Sequence, residues 1–522
     1  MLKKKDLFLI FLSAAFIVLS FPKWEWTGFI IVSLIPLFFA LQKKTPKQAF
    51  WMGWILGYLV SLGAFYWVCH TLQEFGQLPL YLALPIFLIF CTFCNLHLAV
   101  FCYVYVKIPL PHLRPLWVPI LFTVIEFCFP QVFHWYLGAC LYKKLWLIQF
   151  AEITGVAGVT FFVVLLNVFI YELIRWIKKD FEIFPKYAFS ISLALFLVAG
   201  LYSIRTLQTY QETLKKAPTI RAAFIQTNVG NLDKLKGSKG YQHAAEKMQD
   251  INRTMILNAA ADNPNLDLIV LPETAVPGYF TPERPGTQQF MFQLASQVQT
   301  PIYFGGYGFE RTPEGNPLIY NSTFLVSPYY QVSHTYHKNN LLIFGEYMPL
   351  STWIPKLKDW FPTVGDFAWG KTQPVFTLTK DRRFAPLICF EGLFGSYVRR
   401  FVQKGANFLV IVTNDSWFGD TANPDQHLML HVWRAIENRT PILRVANTGI
   451  SAFIDLSGKI QSKTKLFEPS ILVDNIAVID HQTFYAKFGN LFMGILILLF
   501  VGFVLYSFVS PRHLRHLKDN EM

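Results

Sequence analysis

Residues 383–395 read RFAPLICFEGLFG. The first half, Arg383-Phe384-Ala385-Pro386-Leu387-Ile388, is mostly apolar and predicts a buried strand. The strand runs into Cys389, and Phe390, Glu391 and Gly392 follow as a turn. A thiol at a strand end is held on a rigid element yet can face a cleft. Cysteine usage sets it apart. The chain has seven cysteines. Cys69, Cys91, Cys94, Cys102, Cys128 and Cys140 all lie in the apolar first third, so Cys389 is alone in the polar part of the chain. A lone cysteine there is either core filler or a nucleophile.

Working outward, the rest of the chain is too apolar for a water-soluble protein. Hydrophobic residues make up 53% and charged residues 15% of 522, with mean hydropathy +0.35. Membrane spans are expected. Apolar runs cover residues 7–21, 26–41, 50–69, 78–106, 115–129, 155–174, 187–203 and, far downstream, 491–509. Counted as spans, these are eight. The net charge of +13 does not point to nucleic acid, because the cations cluster in short loops between apolar runs. Alternate loops carry Lys3, Lys4 and Lys5; Lys43, Lys44 and Lys47; Lys107 and Arg114; Arg175, Lys178, Lys179 and Lys186; and Arg512, Arg515 and Lys518. The opposite short loops carry only Lys23, Lys143 and Lys144. By the positive-inside rule both termini are then cytoplasmic, and the segment between the seventh and eighth runs lies outside. Glu126, at membrane depth, reads as a helix-packing hydrogen bond or as the lining of a polar cavity. No metal-ligand spacing occurs, and the Cys91–Cys94 pair sits inside an apolar run.

The outer segment alternates short β-rich runs with helical stretches. Strands are expected at 219–226, 266–271, 301–306, 320–326, 331–336, 384–389, 407–413, 441–446 and 451–454. Helices are expected at 242–261, 288–297, 395–403 and 424–438. Such alternation predicts a layered α/β domain. Three of its strand ends finish in reactive side chains: Glu273 after LIVLP, Lys338 after Thr335-Tyr336-His337, and Cys389 after Leu387-Ile388. A thiol needs a base or a nearby cation to become a nucleophile. Glu273 suits the base, and Lys338 suits stabilisation of a thiolate and of an oxyanion. His337 precedes Lys338 and so faces the other way along the strand, and His334 lies four residues back. Singly, each residue also has a plain reading as a solvated acid, a surface lysine or a packed thiol.

The segments VLPETAVP around Glu273, YHKNNLLIFGEYMPL around Lys338, and ICFEGLFG followed by NDSWFGD resemble the nitrilase-type carbon–nitrogen hydrolase superfamily. With NDSWFGDTANPDQH and RVANTGISAFID they are most similar to its membrane-bound branch, the apolipoprotein N-acyltransferases. The resemblance extends over nearly the whole chain. It implies a polytopic α-helical membrane domain of eight spans, with an αββα sandwich inserted between the seventh and eighth. The boundaries would be 1–205 for seven helices, 218–485 for the catalytic domain, 488–510 for the eighth helix and 511–522 for a cytoplasmic tail. It implies Glu273, Lys338 and Cys389 as the triad, with Glu346 supporting the lysine. It also implies Trp417, Phe390, Glu391, Trp360 and Phe361 as substrate contacts. Of these, Trp360 and Phe361 would sit in a mobile arm spanning 351–372.

The implied reaction passes an acyl chain from a membrane phospholipid to Cys389 as a thioester, and then to the α-amine of a diacylglyceryl-cysteine at the N-terminus of an apolipoprotein. Neither a metal nor any other cofactor is implied, and no nucleic acid. The implied location is the bacterial inner membrane, with the catalytic domain periplasmic. Two other readings stand beside it. One is a membrane-anchored amidase that passes the acyl group to water, and the other a non-enzymatic transporter or receptor.

Overall fold

A computed structural model of the chain describes residues 3–133, 135–180, 186–230, 242–283, 285–349, 351, 353–354, 356 and 364–519. It divides into two compact units. One comprises residues Met1–Cys69, Tyr81–Gln208 and Lys487–Met522, and the other His70–Leu80 and Thr209–Ala486.

The first unit is helical. Among the described residues, four helices are long and apolar enough to cross a membrane: Leu80–Lys107, Val156–Ile177, Phe189–Lys216 and Leu491–Phe508. Pro46–Ala64 and Trp67–Glu74, bent by 56°, make a fifth if counted as one span. The other expected spans take different forms. Residues 7–21 fall in the 17-residue helix Lys4–Ser20, which rises about 25 Å, short of the ~30 Å hydrocarbon layer. Residues 26–41 break into a 3-10 turn, Thr27–Ile31, and a short helix, Ile35–Ala40, with a proline in its first turn. Proline supplies no N–H and crowds the residues before it, which favours a helix start at this point. Asn167 repairs the break: its Oδ1 accepts from Leu34 N at 2.8 Å and its Nδ2 donates to Ile30 O at 2.9 Å. Arg114–Cys128 holds only 15 residues. Buried Glu126 accepts from Leu137 N at 2.8 Å, the packing role that its position allowed. The last helix returns to this bundle, packing Met493 and Leu496 against Ile120, Val124, Phe161 and Leu165.

The second unit is built on two six-stranded sheets. The strands are β1 (Thr219–Gln226), β2 (Leu268–Val270), β3 (Ile302–Arg311), β4 (Pro317–Ser327), β5 (Gln331–His337), β6 (Phe376–Thr379), β7 (Arg382–Ile388), β8 (Phe408–Thr413), β9 (Ile442–Ala446), β10 (Ala452–Ile454), β11 (Ile460–Lys463) and β12 (Ser470–Ala477). Their orders are β12-β1-β2-β3-β4-β5 and β11-β10-β9-β8-β7-β6. The inner faces meet through stacked Phe224 and Phe453, centroids 3.8 Å apart, and through Tyr303 edge-on to Phe384. Helices Gln242–Asp262 and Pro285–Val298 cover the outside of the first sheet through Ile256, Ala259, Met291 and Leu294. Helices Gly395–Gln403 and Asn423–Asn438 contact β7 and β9 of the second. This is the αββα layering that the resemblance implies.

Strand direction decides where the reactive side chains emerge. Strands β1, β2 and β3 run parallel. The two antiparallel steps through β4 and β5 restore that direction. Glu273 and Lys338 therefore leave the first sheet at the same edge. In the second sheet β7, β8 and β9 are parallel, so Cys389 and Asp415 leave together. The carboxyl ends of parallel strands are where α/β folds place their sites.

Candidate active site

The two sheets are tied together beside these strand ends by one carboxylate. Glu391 is fully buried. Its Oε1 accepts from Tyr336 Oη at 2.7 Å and from the main-chain N–H of Asn339 at 2.8 Å and Asn340 at 3.0 Å. Its Oε2 accepts from Ile388 N at 3.0 Å. The residue after Lys338 and the residue before Cys389 thus hang on one side chain. All of these bonds are internal, so Glu391 orients the turn.

That turn is unfavourable without support. Cys389 has φ +53°, a left-handed conformation that costs a non-glycine residue about 1–3 kcal/mol. The Glu391 bonds and the following 3-10 turn, Cys389–Leu393, hold it there.

Lys338 is buried, with Nζ 2.7 Å from Glu346 Oε2 and 3.8 Å from Glu273 Oε1. Asn321 on β4 bridges the two acids, its Nδ2 donating to Glu273 Oε1 at 2.7 Å and to Glu346 Oε1 at 2.6 Å. Leu342 N donates to Glu346 Oε2 at 2.8 Å. Glu346 therefore fixes the lysine, and Asn321 fixes the Glu273 oxygen that faces it. Burial opposes the charge on Lys338, but Glu346 and then Glu273 overcome it and hold the ammonium protonated well above the ordinary lysine range. Burial, and next the Glu273 charge, push the Cys389 thiol up to about 12; Lys338 acts the other way. At rest Cys389 is a thiol, under the electrostatic influence of both Glu273 and Lys338.

Several groups around Cys389 escape sequence reading. Asp415, after β8, is fully buried and receives Arg444 Nη2 at 2.7 Å, Thr413 Oγ1 at 2.9 Å and His427 Nδ1 at 3.1 Å. Burial works against its charge, yet Arg444 and His427 hold the carboxyl well below the usual range. Arg444 Nε donates to His431 Nδ1 at 3.0 Å. Burial, His427 and Arg444 keep His431 neutral. His431 Nε2 lies where a side chain on Gly392 would have to go, which is why the turn after Cys389 needs glycine there. This cluster braces the nucleophile's turn from below. Arg444→Met leaves Asp415 as a buried charge without its main partner. It is expected to cost about 3–5 kcal/mol, read as a large fall in the thermal midpoint, whereas Arg444→Met with Asp415→Asn recovers much of that loss.

The two histidines weighed from sequence lie elsewhere. His337 Nδ1 meets Ser322 Oγ at 2.7 Å and its ring stacks on Tyr320. His334 stacks on Phe376. Phe390 is half-buried, edge-on to Phe394 at 5.1 Å. Trp417 is half-buried, edge-on to Phe75 at 4.7 Å. Phe75 comes from the short segment His70–Leu80, which belongs to this unit, so the aromatic wall at Trp417 is built from two distant parts of the chain. Trp360 and Phe361 lie outside the described residues.

Comparison with known proteins covers both units. Residues 221–483 match the carbon-nitrogen hydrolase family model. Residues 13–169 match the model for the apolipoprotein N-acyltransferase N-terminal domain. The chain is 32% identical to apolipoprotein N-acyltransferase of Geobacter metallireducens, over 94% of this chain and 92% of that one. It is 30% identical to the protein of the same name in Bdellovibrio bacteriovorus, over 93% and 90%. The corresponding Pasteurella multocida protein is 28% identical, over 96% of each.

Proposed function

This chain belongs to the apolipoprotein N-acyltransferase family, and from that premise we propose how its residues carry out the transfer. It is an N-acyltransferase of lipoprotein maturation. The donor is a membrane phospholipid, and the acceptor is the α-amine of an N-terminal diacylglyceryl-cysteine.

Glu273 takes the Cys389 proton as sulfur attacks the ester carbonyl of the donor. The carbonyl oxygen becomes an oxyanion, opposite which Lys338 supplies a fixed positive charge. Collapse expels the glycerol alkoxide, which takes the proton back from Glu273 and leaves as lysophospholipid. The acceptor amine then attacks the thioester and loses a proton to Glu273. The tetrahedral species expels the thiolate, which is reprotonated. Glu346 and Asn321 hold Lys338 and Glu273 in register, and Glu391 holds the two strand ends. Trp417 and Phe390 offer apolar contact to the acyl chain, and Trp360 and Phe361 join them from the arm.

The transfer belongs to a stated topology. Both termini cytoplasmic and the second unit in the periplasm of the inner membrane agree with the alternation of basic loops between the eight apolar runs. The observation that carries the mechanism is the buried Glu273–Lys338–Glu346 set acting on the one thiol of its unit. The test supplies purified protein in detergent with phospholipid labelled in its acyl chain and a synthetic diacylglyceryl-cysteinyl peptide. Label is expected on the peptide amine, with free fatty acid a minor product. Release of the label mainly as fatty acid, in the presence of excess acceptor, would establish the amidase-like hydrolase instead.

A further inference from the structure

The helical unit contains a polar cavity that none of this chemistry uses. It measures about 530 Å3 and lies among residues 41–44, 105–118 and 171–180. Lys43, Lys44, Arg114 and Arg175 contribute to its wall. All four sit at helix boundaries: Lys43 and Lys44 precede the helix Pro46–Ala64, Arg114 opens Arg114–Cys128, and Arg175 is in the last turn of Val156–Ile177. Loops far apart in sequence are thus folded into one cationic pocket.

The acids nearby do not cancel its donor character. Glu172 meets Arg114 at 2.5 Å and Arg175 at 3.4 Å, Asp180 lies 4.0 Å from Arg175, and Asp6 takes Lys44 at 2.6 Å. Arg114 gives Glu172 one of its five N–H groups. Tyr171 Oη accepts from Gln42 Nε2 at 3.0 Å, which leaves its own O–H to donate. The wall therefore brings together the N–H groups of Arg114, the ammonium of Lys43 and the O–H of Tyr171, and its one acidic member among the described residues is Asp180. The ligand that completes it is rich in acceptors and negatively charged. Leu41, Val106, Ile108 and Leu110 form an apolar side, as a ligand with a hydrocarbon portion requires.

We propose that this cavity binds the phosphate group of an anionic phospholipid, through Arg114, Lys43 and the Tyr171 O–H. Basic pockets between membrane helices hold lipid headgroups in this way. The lipid is a resident one. Every residue of the site is in the helical unit, whereas Cys389 is in the other. The same donors would also take a free phosphate, and the experiment separates the two sources.

Full-length protein in the Cys389→Ala background, which consumes no lipid, is titrated in detergent with phosphatidylglycerol, phosphatidylcholine and inorganic phosphate. Retained ligands are counted by native mass spectrometry. One phosphatidylglycerol is expected to be retained that phosphatidylcholine does not replace. Its affinity is expected to fall at least about tenfold in Tyr171→Phe, which keeps the ring but loses the O–H. Lys43→Gln, on the surface, should act in the same direction. Arg114→Gln with Glu172→Gln removes the ion pair as a unit and should also release the lipid. Displacement of phosphatidylglycerol by millimolar phosphate would support the anion site and assign it to the free ion. Equal retention of phosphatidylglycerol by wild type and all three variants, or equal retention of phosphatidylcholine, would overturn the proposal.

Discussion

Protein incubated with phospholipid gains the mass of one acyl chain on Cys389, hydroxylamine removes it, and Cys389→Ala loses both the adduct and all measurable transfer. The expected loss is at least about four orders of magnitude, because removing a nucleophile removes the covalent route and leaves only binding and oxyanion stabilisation. Position, more than identity, singles this thiol out. Six other cysteines are present, but Cys91, Cys94, Cys102 and Cys140 are buried in the helical unit, apart from the unit that holds Glu273 and Lys338. Cys389 alone ends a parallel strand in a left-handed turn, with Glu273 and Lys338 acting on it. Cys389→Ser is the sharper variant. An alcohol is a far weaker acid than a thiol, so Glu273 cannot activate it comparably, and transfer is expected to fall nearly as far. Intact-mass measurement after phospholipid addition checks both variants. Normal acylation of acceptor by wild type with no adduct at any time would exclude the thioester.

Much of the second unit is legible in the sequence because its strands obey local rules. β1 and the helix Gly395–Gln403 stand at 219–226 and 395–403, as the alternation predicts. β6, β11 and β12 are not legible. They are short or lie at sheet edges with much of their surface exposed, and a half-wet strand has no apolar run to announce it. In the site, Glu273, Lys338 and Cys389 could be suspected because each follows a strand run in the sequence. Asn321 could not: it lies inside β4, and its role appears only once β4 separates β3 from β5. Arg444 did leave a signal, a charged residue inside the apolar stretch PILRVAN. Such a residue is buried with a partner or it is not in a core strand. Its partner Asp415, some thirty positions away, is a tertiary fact. The resemblance implied Glu391 as a substrate contact, and in the structure its oxygens accept from Tyr336, Asn339, Asn340 and Ile388. In the helical unit, hydropathy marks apolar runs faithfully but says nothing of where they break. The Asn167 repair of the chain at Leu34 joins residues 133 positions apart.

Glu273→Gln separates the two effects that the carboxylate has on Cys389, and they have opposite signs. As a base it speeds attack on the ester, so its loss is expected to slow thioester formation by about two to four orders of magnitude. As a negative charge it raises the thiol, second only to burial, so its loss is expected to make the sulfur more easily deprotonated. Gln keeps a carbonyl oxygen to accept from Asn321, whose bond to Glu273 is 2.7 Å, so the geometry survives. Iodoacetamide needs thiolate and no base. Its reaction at Cys389, followed by peptide mass so that exposed Cys128 does not obscure it, is expected to accelerate in Glu273→Gln at pH 8 to 9 while transfer collapses. Lys338→Met removes the charge that lowers the thiol and should slow alkylation and transfer together. In wild type the alkylation rate should climb about tenfold per pH unit through this range, without a plateau. The same shift links to stability. The folded thiol keeps its proton to about 12, whereas an unfolded one loses it near 8.5. The stabilisation is therefore complete below the ordinary thiol range and is lost as pH rises above it. Should Glu273→Gln alkylate more slowly than wild type, the carboxylate is not the charge that holds the thiol protonated. Should it form thioester at the wild-type rate, the proton leaves by another group.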